Sequence, residues 1–474
     1  MVKALKKNIN MTEGPLLGKI IIFVLPLMAS NLLQVLYNSA DMMVVSLSHE
    51  PDAVGAIGTT GSLINLIVNL FIGFATGTNV ILGQNLGAKD DRQASKTVHT
   101  SLVLSVVLGL LASVVGILFS GPILRLMGAE DKLLDLAITY TQIYFIGVPF
   151  ASVTNYAVAI FRAKGDTKTP LYVLAVSGVI NVLLNLFFVM VCGLSVEGVA
   201  IATAVANMLS AAVLLFILSR DEGPCRFSFR GLGIDNKAIL RILKIGLPAA
   251  IQGALFSISN MIIQSSIIRV NNTVVPPGAE YQPIVKANSA TANLDGFIYT
   301  ATNAVYQASI TFTSQNVGAG KYDRVKRVLV CSLIVTTVVA IVFSGIIILL
   351  NQPLLSLYGV VDGAEGTLEH IAYQTAIIRL MYCTVPYFTL AWMEVGCGCV
   401  RGLGRSISST IISLLGSCVL RVVWIYTIFE HFLTLESIYI SYPISWLLTG
   451  LVQILFALYI TGRELKNKKS QAIT

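Results

Sequence analysis

The feature that most constrains this chain of 474 residues is the recurrence, along its whole length, of apolar stretches long enough to cross a bilayer. A hydrocarbon core of about 30 Å needs only about 20 such residues in a helix. Composition agrees, since 55% of the residues are hydrophobic and 12% charged, against about 25% charged in a soluble domain. No stretch remains for a second, water-soluble domain. The first apolar run follows Lys3, Lys6 and Lys7, as a signal peptide would. It extends from about Leu16 to Ser48, however, far beyond an h-region of about 7–15 residues, and is expected to stay as the first helix.

The net charge of +8 raises the question of an acidic or nucleic-acid partner, and the placement of the 32 Lys and Arg residues answers it. Most fall in alternate loops: the N-terminal lysines with Lys19, then Lys89/Arg92/Lys96, Arg162/Lys164/Lys168, Arg220 to Lys244, Lys321 to Arg327, Arg401/Arg405 and Arg463 to Lys469. The intervening loops carry few basic residues beside acids such as Glu50, Asp52, Glu130, Asp131, Asp362, Glu365 and Glu369. By the positive-inside rule both termini are expected in the cytoplasm, and the basic charge reflects topology, not nucleic-acid binding. Seven scattered cysteines and four dispersed histidines show no metal-ligand spacing. Asn271-Asn272-Thr273 matches a glycosylation sequon, which matters only in a eukaryotic secretory pathway.

The chain also repeats itself. Gln84-Asn85-Leu86-Gly87-Ala88 returns as Gln315-Asn316-Val317-Gly318-Ala319, and Leu25-Pro26 as Leu247-Pro248. Val148-Pro149-Phe150 returns as Val385-Pro386-Tyr387, and Arg162 to Gly165 as Arg401 to Gly404, in the same order. The reading is therefore an all-α integral membrane protein of about twelve transmembrane helices in two pseudo-symmetric six-helix bundles, residues 1–219 and 239–474, joined by a cytoplasmic linker at 220–238. Because each half has an even number of spans, both copies take the same orientation, and transporters of this plan move one repeat against the other. Architecture thus favours transport over a membrane enzyme.

A charged side chain at mid-membrane costs about 2.5–3.5 kcal/mol on translocon scales and needs a reason to be there. Asp41 shares one face of the first helix with Asn31, Gln34 and Asn38. Asn65 and Asn69 in the second helix, and Asn181 and Asn185 in the fifth, are each four apart on one face. Counting 1.5 Å per residue puts Asp41, Asn185 and Thr203 at one depth, about 10 Å below the outer boundary. A carboxylate with neutral oxygen ligands suits Na⁺, and the carboxylate alone suits a proton. Asp41, Asn181, Asn185 and Thr203 are therefore the candidate coupling-ion site. On the eighth helix Asn288, Thr291, Asp295, Tyr299, Thr302 and Tyr306 form a polar stripe that suits lipophilic cations through charge pairing and cation–π contact. Asn38, Asn65, Asn69, Asp295, Tyr299 and Tyr306 are the candidate substrate-cavity residues. Glu394 is a further intramembrane acid, and Arg379 and Arg421 are basic residues within predicted spans whose partners the sequence leaves open.

Taken together, Pro26 with Asp41, the repeated Gln-Asn-x-Gly-Ala turns, Arg162 to Pro170 (RAKGDTKTP), Asn181-x-x-x-Asn185, Gly198 to Thr203 (GVAIAT) and Arg401 to Gly404 resemble the multidrug and toxic compound extrusion family over nearly the whole chain. The resemblance implies export of varied, often cationic organic compounds in exchange for Na⁺ or H⁺, with no cofactor. It implies that Asp41 is the family's essential acid of the first helix, and that Asn181 and Thr203 occupy its cation-site positions. Asn185 stands where several prokaryotic members have Asp, so this site has one carboxylate fewer. The seventh helix likewise lacks the Glu of some members. The alternative is a lipid-linked oligosaccharide or peptidoglycan-precursor flippase, which shares the architecture but typically adds helices and basic cavity residues. A membrane enzyme would need a convergent nucleophile and base or metal ligands, and no such cluster is visible. The expected partners are small organic cations and membrane lipid, with no nucleic acid and no obligate protein partner evident, and the expected location is the plasma membrane.

Overall fold

A helix that crosses lipid must present apolar side chains outward and can turn small or polar ones inward, and this pattern organises the chain throughout. The computed structural model describes residues 8–471 apart from 47, 49, 51, 127–130 and 277–280, so Lys3, Lys6, Lys7 and Glu130 lie outside the described residues. Those described contain long helices and no strand. The first half supplies α1 (Leu16–Val45), α2 (Ala53–Gly87), α3 (Asp91–Leu126), α4 (Asp131–Ala163), α5 (Lys168–Leu186) and α6 (Val196–Ser219). The second supplies α7 (Asn236–Asn271), α8 (Pro283–Gly318), α9 (Tyr322–Leu349), α10 (Leu368–Gly402), α11 (Ser406–Phe432) and α12 (Leu435–Lys468).

Eleven of these are long and apolar enough to cross a membrane, and α8 is the exception. It has 36 residues but carries Lys286, Asn288, Asp295, Asn303, Gln307 and Gln315. Most of its side chains are buried, from Pro283 to Asn316, so protein surrounds it where lipid would reject it. The expected architecture of about twelve helices is thus present, and hydropathy alone finds one fewer.

Helix α3 shows the outward-apolar rule most plainly. Ser101, Ser105, Gly109, Ser113, Gly116 and Ser120 are buried along one face, while Val107, Leu110, Leu111, Val114 and Leu118 are exposed on the other. In α9 Ser332, Thr336, Ala340 and Ser344 are buried, and Val330, Ile334, Val338 and Ile341 are exposed. Lipid offers no hydrophobic drive to helix association, so small residues that admit close packing supply it instead.

The sequence repeats return as repeated turns. The Asp90 amide donates to the Asn85 carbonyl (3.0 Å), as the Lys321 amide does to that of Asn316 (2.8 Å). The Asp166 amide reaches Phe161 O (2.9 Å), and the Arg405 amide Val400 O (3.1 Å). These are the long bonds of Schellman motifs, which need one left-handed residue just after the helix. That residue is Gly165, Gly320 or Gly404 in three copies and Lys89, with φ of 57°, in the fourth. Asn85 and Asn316 also tie their turns to the following helix, through Thr97 Oγ1 (2.9 Å) and Arg324 Nε (3.2 Å).

Contacts divide the chain into two compact units. The first comprises Met1–Gly14, Ile22–Ala250 and Gly318–Gly320, and the second Pro15–Ile21, Ile251–Val317 and Lys321–Thr474. Within the first, the residues following α6 are tied back to α3. The Ser228 amide donates to His99 Nε2 (3.1 Å), the Asp235 amide to Thr100 Oγ1 (3.2 Å), and Lys96 Nζ to Asp235 Oδ2 (2.9 Å). Asp235 Oδ1 in turn caps α7 by accepting from the Ala238 amide (3.0 Å). Cys225 is buried beside this anchor, and burial pushes its thiol up to about 12.

Hydrogen bonds from Lys96 and from the Ala238 amide hold the Asp235 carboxyl below the usual carboxylate range. A depressed folded-state value means that the anchor contributes at neutral pH and is lost as pH falls through that value. Hydrogen exchange of the backbone at 228–238, corrected for intrinsic rates, is expected to be faster in Asp235→Asn at neutral pH. Wild type should approach the variant only below about pH 4, where unperturbed Asp protonates.

Candidate functional site

Helices α1, α5 and α6 bring the predicted coupling residues to one place inside the first unit. Asn185 Nδ2 donates to Asp41 Oδ1 and approaches Asn181 Oδ1 (3.4 Å), and Asn181 Nδ2 approaches Thr203 Oγ1 (3.4 Å). The Thr203 hydroxyl donates to Val199 O (2.9 Å), which leaves its oxygen lone pairs available to Asn181. Asn181 and Asn185 are buried, Asp41 and Thr203 partly so. In this arrangement Asn185 Oδ1 is buried without a donor. The cluster therefore offers one carboxylate and three neutral oxygens, and its one unmet need is for a positive charge or a proton. Among the described residues no three His, Cys, Asp or Glu side chains gather as a metal site. A hard monovalent cation needs none, because neutral oxygens and one carboxylate suffice for it.

The approach of α1 to α5 depends on a missing side chain. A Cβ on Gly178 would lie 1.9 Å from the Tyr37 ring, so only glycine lets that ring lie against α5. The Tyr37 hydroxyl then donates to Ala175 O (2.9 Å). Asp41 is one turn beyond Tyr37 on α1, and Asn181 and Asn185 one and two turns beyond Gly178 on α5, so this contact sets the distance between carboxylate and amides. Just past Asn185, the residues Phe187–Val191 are π-helical, a local widening often found at functional positions.

Two residues of this site were not singled out from sequence. Tyr140 and Tyr144 of α4 stack at 6.3 Å between ring centroids and lie close enough to Asp41 to feel its charge. Their spacing of four along α4 is the signal that would have found them.

The proposed cavity residues do not share one environment. Asn38, Asn65 and Asn69 are exposed on the first unit, and Tyr299 is 43% exposed on the second. Asp295 and Tyr306 are buried. Asp295 Oδ2 forms an ion pair with Arg379 Nη1 (2.9 Å), and its Oδ1 accepts from the Thr384 hydroxyl (2.6 Å). Tyr306 is bonded to Arg401 Nη1, whose Nη2 donates to Gln252 Oε1 (2.8 Å). The stripe on α8 is thus knitted into the second unit. Asn288 bonds to Gln264 (2.9 Å) and Tyr439 (3.4 Å), while Thr291 and Thr302 return to their own backbone at Ala287 (2.8 Å) and Ile298 (3.0 Å). Arg401, expected in a turn, ends α10 with its side chain buried, and Glu394 is partly buried two turns earlier on the same face.

The comparisons with known proteins bear on the family and the fold. A family model described as MatE matches residues 26–187 and 248–427, each segment beginning at a proline of the repeat. The chain is 26% identical to the probable multidrug resistance protein YoeA of Bacillus subtilis, over 90% of both sequences. It is 24% identical to the multidrug export protein MepA of Staphylococcus aureus, covering 56% of this chain and 58% of that one. A MOP superfamily transporter from Pyrococcus furiosus has the same fold, with a TM-score of 0.86 at 20% identity, over 97% of this chain and 99% of its own.

The contact between α1 and α5 is open to test by Gly178→Val. Forcing a side chain into the Tyr37 ring is expected to cost about 1–3 kcal/mol, read as a lower melting temperature in detergent. Adding Tyr37→Ala should recover part of the loss, because the clash and not the valine is its cause.

Proposed function

Because this chain belongs to the MatE family, whose model spans both of its halves, we propose that it is a secondary-active exporter. Its cargo is organic compounds, mostly cationic, and it exchanges them for Na⁺ or H⁺ taken up at Asp41, Asn181, Asn185 and Thr203. The family and fold are those of transporters, and the names of its relatives point to drugs as cargo. The observation that carries the coupling assignment is the orphaned Asn185 Oδ1 beside the Asp41 carboxylate, in a pocket of acceptors with no fixed cation in contact. Na⁺ would be held by Asp41 with Asn181, Asn185 and Thr203 as neutral oxygen donors, and a proton by Asp41 itself.

The direction of coupling follows from charge. An inward gradient fills the site, neutralises Asp41 and removes its hold on a cationic cargo, which leaves on the outer side. One charge moving through 100 mV is worth about 2.3 kcal/mol, close to a fifty-fold concentration ratio. With Asn185 in place of a second acid, one carboxylate sets the charge carried by this site. The exposed Asn38, Asn65, Asn69 and Tyr299 are the cargo-facing positions in this scheme. In this reading the protein resides in the cytoplasmic membrane with both termini inside, an orientation that the loop charges support.

The test is ethidium efflux from proteoliposomes under a Na⁺ gradient or a pH gradient imposed separately. Wild type is expected to move ethidium uphill under one of them, and that one names the ion. Asp41→Asn should fold, judged by an unchanged melting temperature, and lose gradient-driven efflux by at least about a hundredfold. Wild-type protein that moves nothing under either gradient would turn the assignment toward flipping of lipid-linked diphosphates.

A further inference from the structure

The interior of the second unit holds three guanidinium groups, those of Arg379, Arg401 and Arg421, all buried. Two are accounted for. Arg379 is paired with Asp295, and Arg401 bonds to Tyr306 and Gln252 within the field of Glu394. Arg421 has no carboxylate against it among the described residues, and the titratable side chains near it are the Tyr442 phenol and the Cys418 and Cys383 thiols. An ionised group away from water without a counter-charge is strongly disfavoured, and arginine does not escape by giving up its proton.

What surrounds Arg421 looks like one half of a binding site. Its Nε donates to Ser445 Oγ (2.7 Å), which fixes the plane of the fork. Tyr442 and Trp446, one turn apart on α12, have ring centroids 4.4 and 5.5 Å from Cζ, so the guanidinium lies over both rings. The two rings meet edge to face at 5.4 Å, so neither is free to turn away. Nη2 is left buried with no partner. A guanidinium held through Nε and against two aromatic rings, with a terminal nitrogen unused, presents the group that carboxylates and phosphates recognise. Arg421 also sits on the short α-helical step between two π-helical segments of α11, Leu414–Val419 and Ile425–Phe429, where irregular backbone commonly marks function.

We propose that Arg421, with Tyr442 and Trp446, is a recognition subsite for the carboxylate or phosphate of an aromatic organic anion. The anion supplies the missing counter-charge to Nη2, and its ring packs against Tyr442, the less buried of the two aromatic groups. The subsite extends the cargo of the exporter to anions and zwitterions, and it rests on the exporter reading only in calling that anion a cargo.

Binding of 2-naphthoate to the full chain in phosphatidylcholine nanodiscs, followed by calorimetry, tests this without any ion gradient. A failure here is therefore read separately from a failure of coupled export. Wild type is expected to bind 2-naphthoate at least about tenfold more tightly than the neutral 2-naphthamide, and Arg421→Gln to lose that preference. Arg421→Lys, which keeps the charge and loses the fork, should retain only part of it, and ethidium binding should be unchanged in both variants. Equal binding of naphthoate and naphthamide by wild type would overturn the proposal even if no variant folds. So would an Arg421→Gln protein that keeps the preference, since the carboxylate would then be recognised without the guanidinium. Loss of naphthoate binding when phosphatidylglycerol replaces phosphatidylcholine would make a lipid headgroup the occupant and overturn the cargo assignment.

Discussion

In hydrocarbon a polar side chain has no partner except the protein around it, and everything distinctive in this chain follows from how that demand is met. Serines and threonines meet it cheaply by returning to their own helix, as Thr291 and Thr302 do. Asparagines meet it across helices, and so decide which helices touch. Asp41 and Asn185 join α1 to α5, and Asn288 joins α8 to α7 and α12. Charges meet it least easily, and where they remain the local structure is most specific. Asp295 has both oxygens engaged, by Arg379 and by Thr384. Asp41 has only Asn185 against it, with an acceptor beside it left over. A fully engaged acid holds a bundle together, whereas one with an unmet neighbour is available to bind something.

This contrast separates the two intramembrane aspartates, which look alike in the sequence. Both interrupt long apolar helices, and both lie in stripes of asparagine and threonine. What distinguishes them is a basic residue 84 positions downstream of Asp295, on α10, which no local pattern links to α8. The cluster around Asp41 was legible because its members lie on helices of known direction. Depth can be counted from the helix ends, and side chains at one depth on adjacent helices meet. Its support was not legible. Nothing in the sequence says that Gly178 faces Tyr37, and the spacing of Tyr140 and Tyr144 puts them on one face of α4 without saying that this face is the one near Asp41.

The fold was legible to a similar degree and for the same reason. Periodic lipid-facing surfaces reveal themselves by apolarity, so eleven helices stand out. Helix α8 does not, because it is wrapped by protein and its composition answers to its neighbours. The repeat marks it instead, since the Gln-Asn-x-Gly-Ala turn closes a helix in each half. The structure makes the mark physical, since both copies close with the same long backbone bond.

The π-helical segments carry a consequence for movement. A π-turn holds one residue more than the α-turn it replaces, and one residue is about 100° of rotation. Four such segments lie beside the polar clusters: one after Asn185, one directly after Arg379, and two on either side of Arg421. Were one to relax to α-geometry, the helix beyond it would swivel by about a quarter of a turn and shift along its axis by the rise of one residue, about 1.5 Å. Side chains now turned inward would sweep round toward lipid, and their neighbours would take their places. The spacing of the backbone thus puts a possible point of rotation next to each of these polar side chains, Asn185, Arg379 and Arg421.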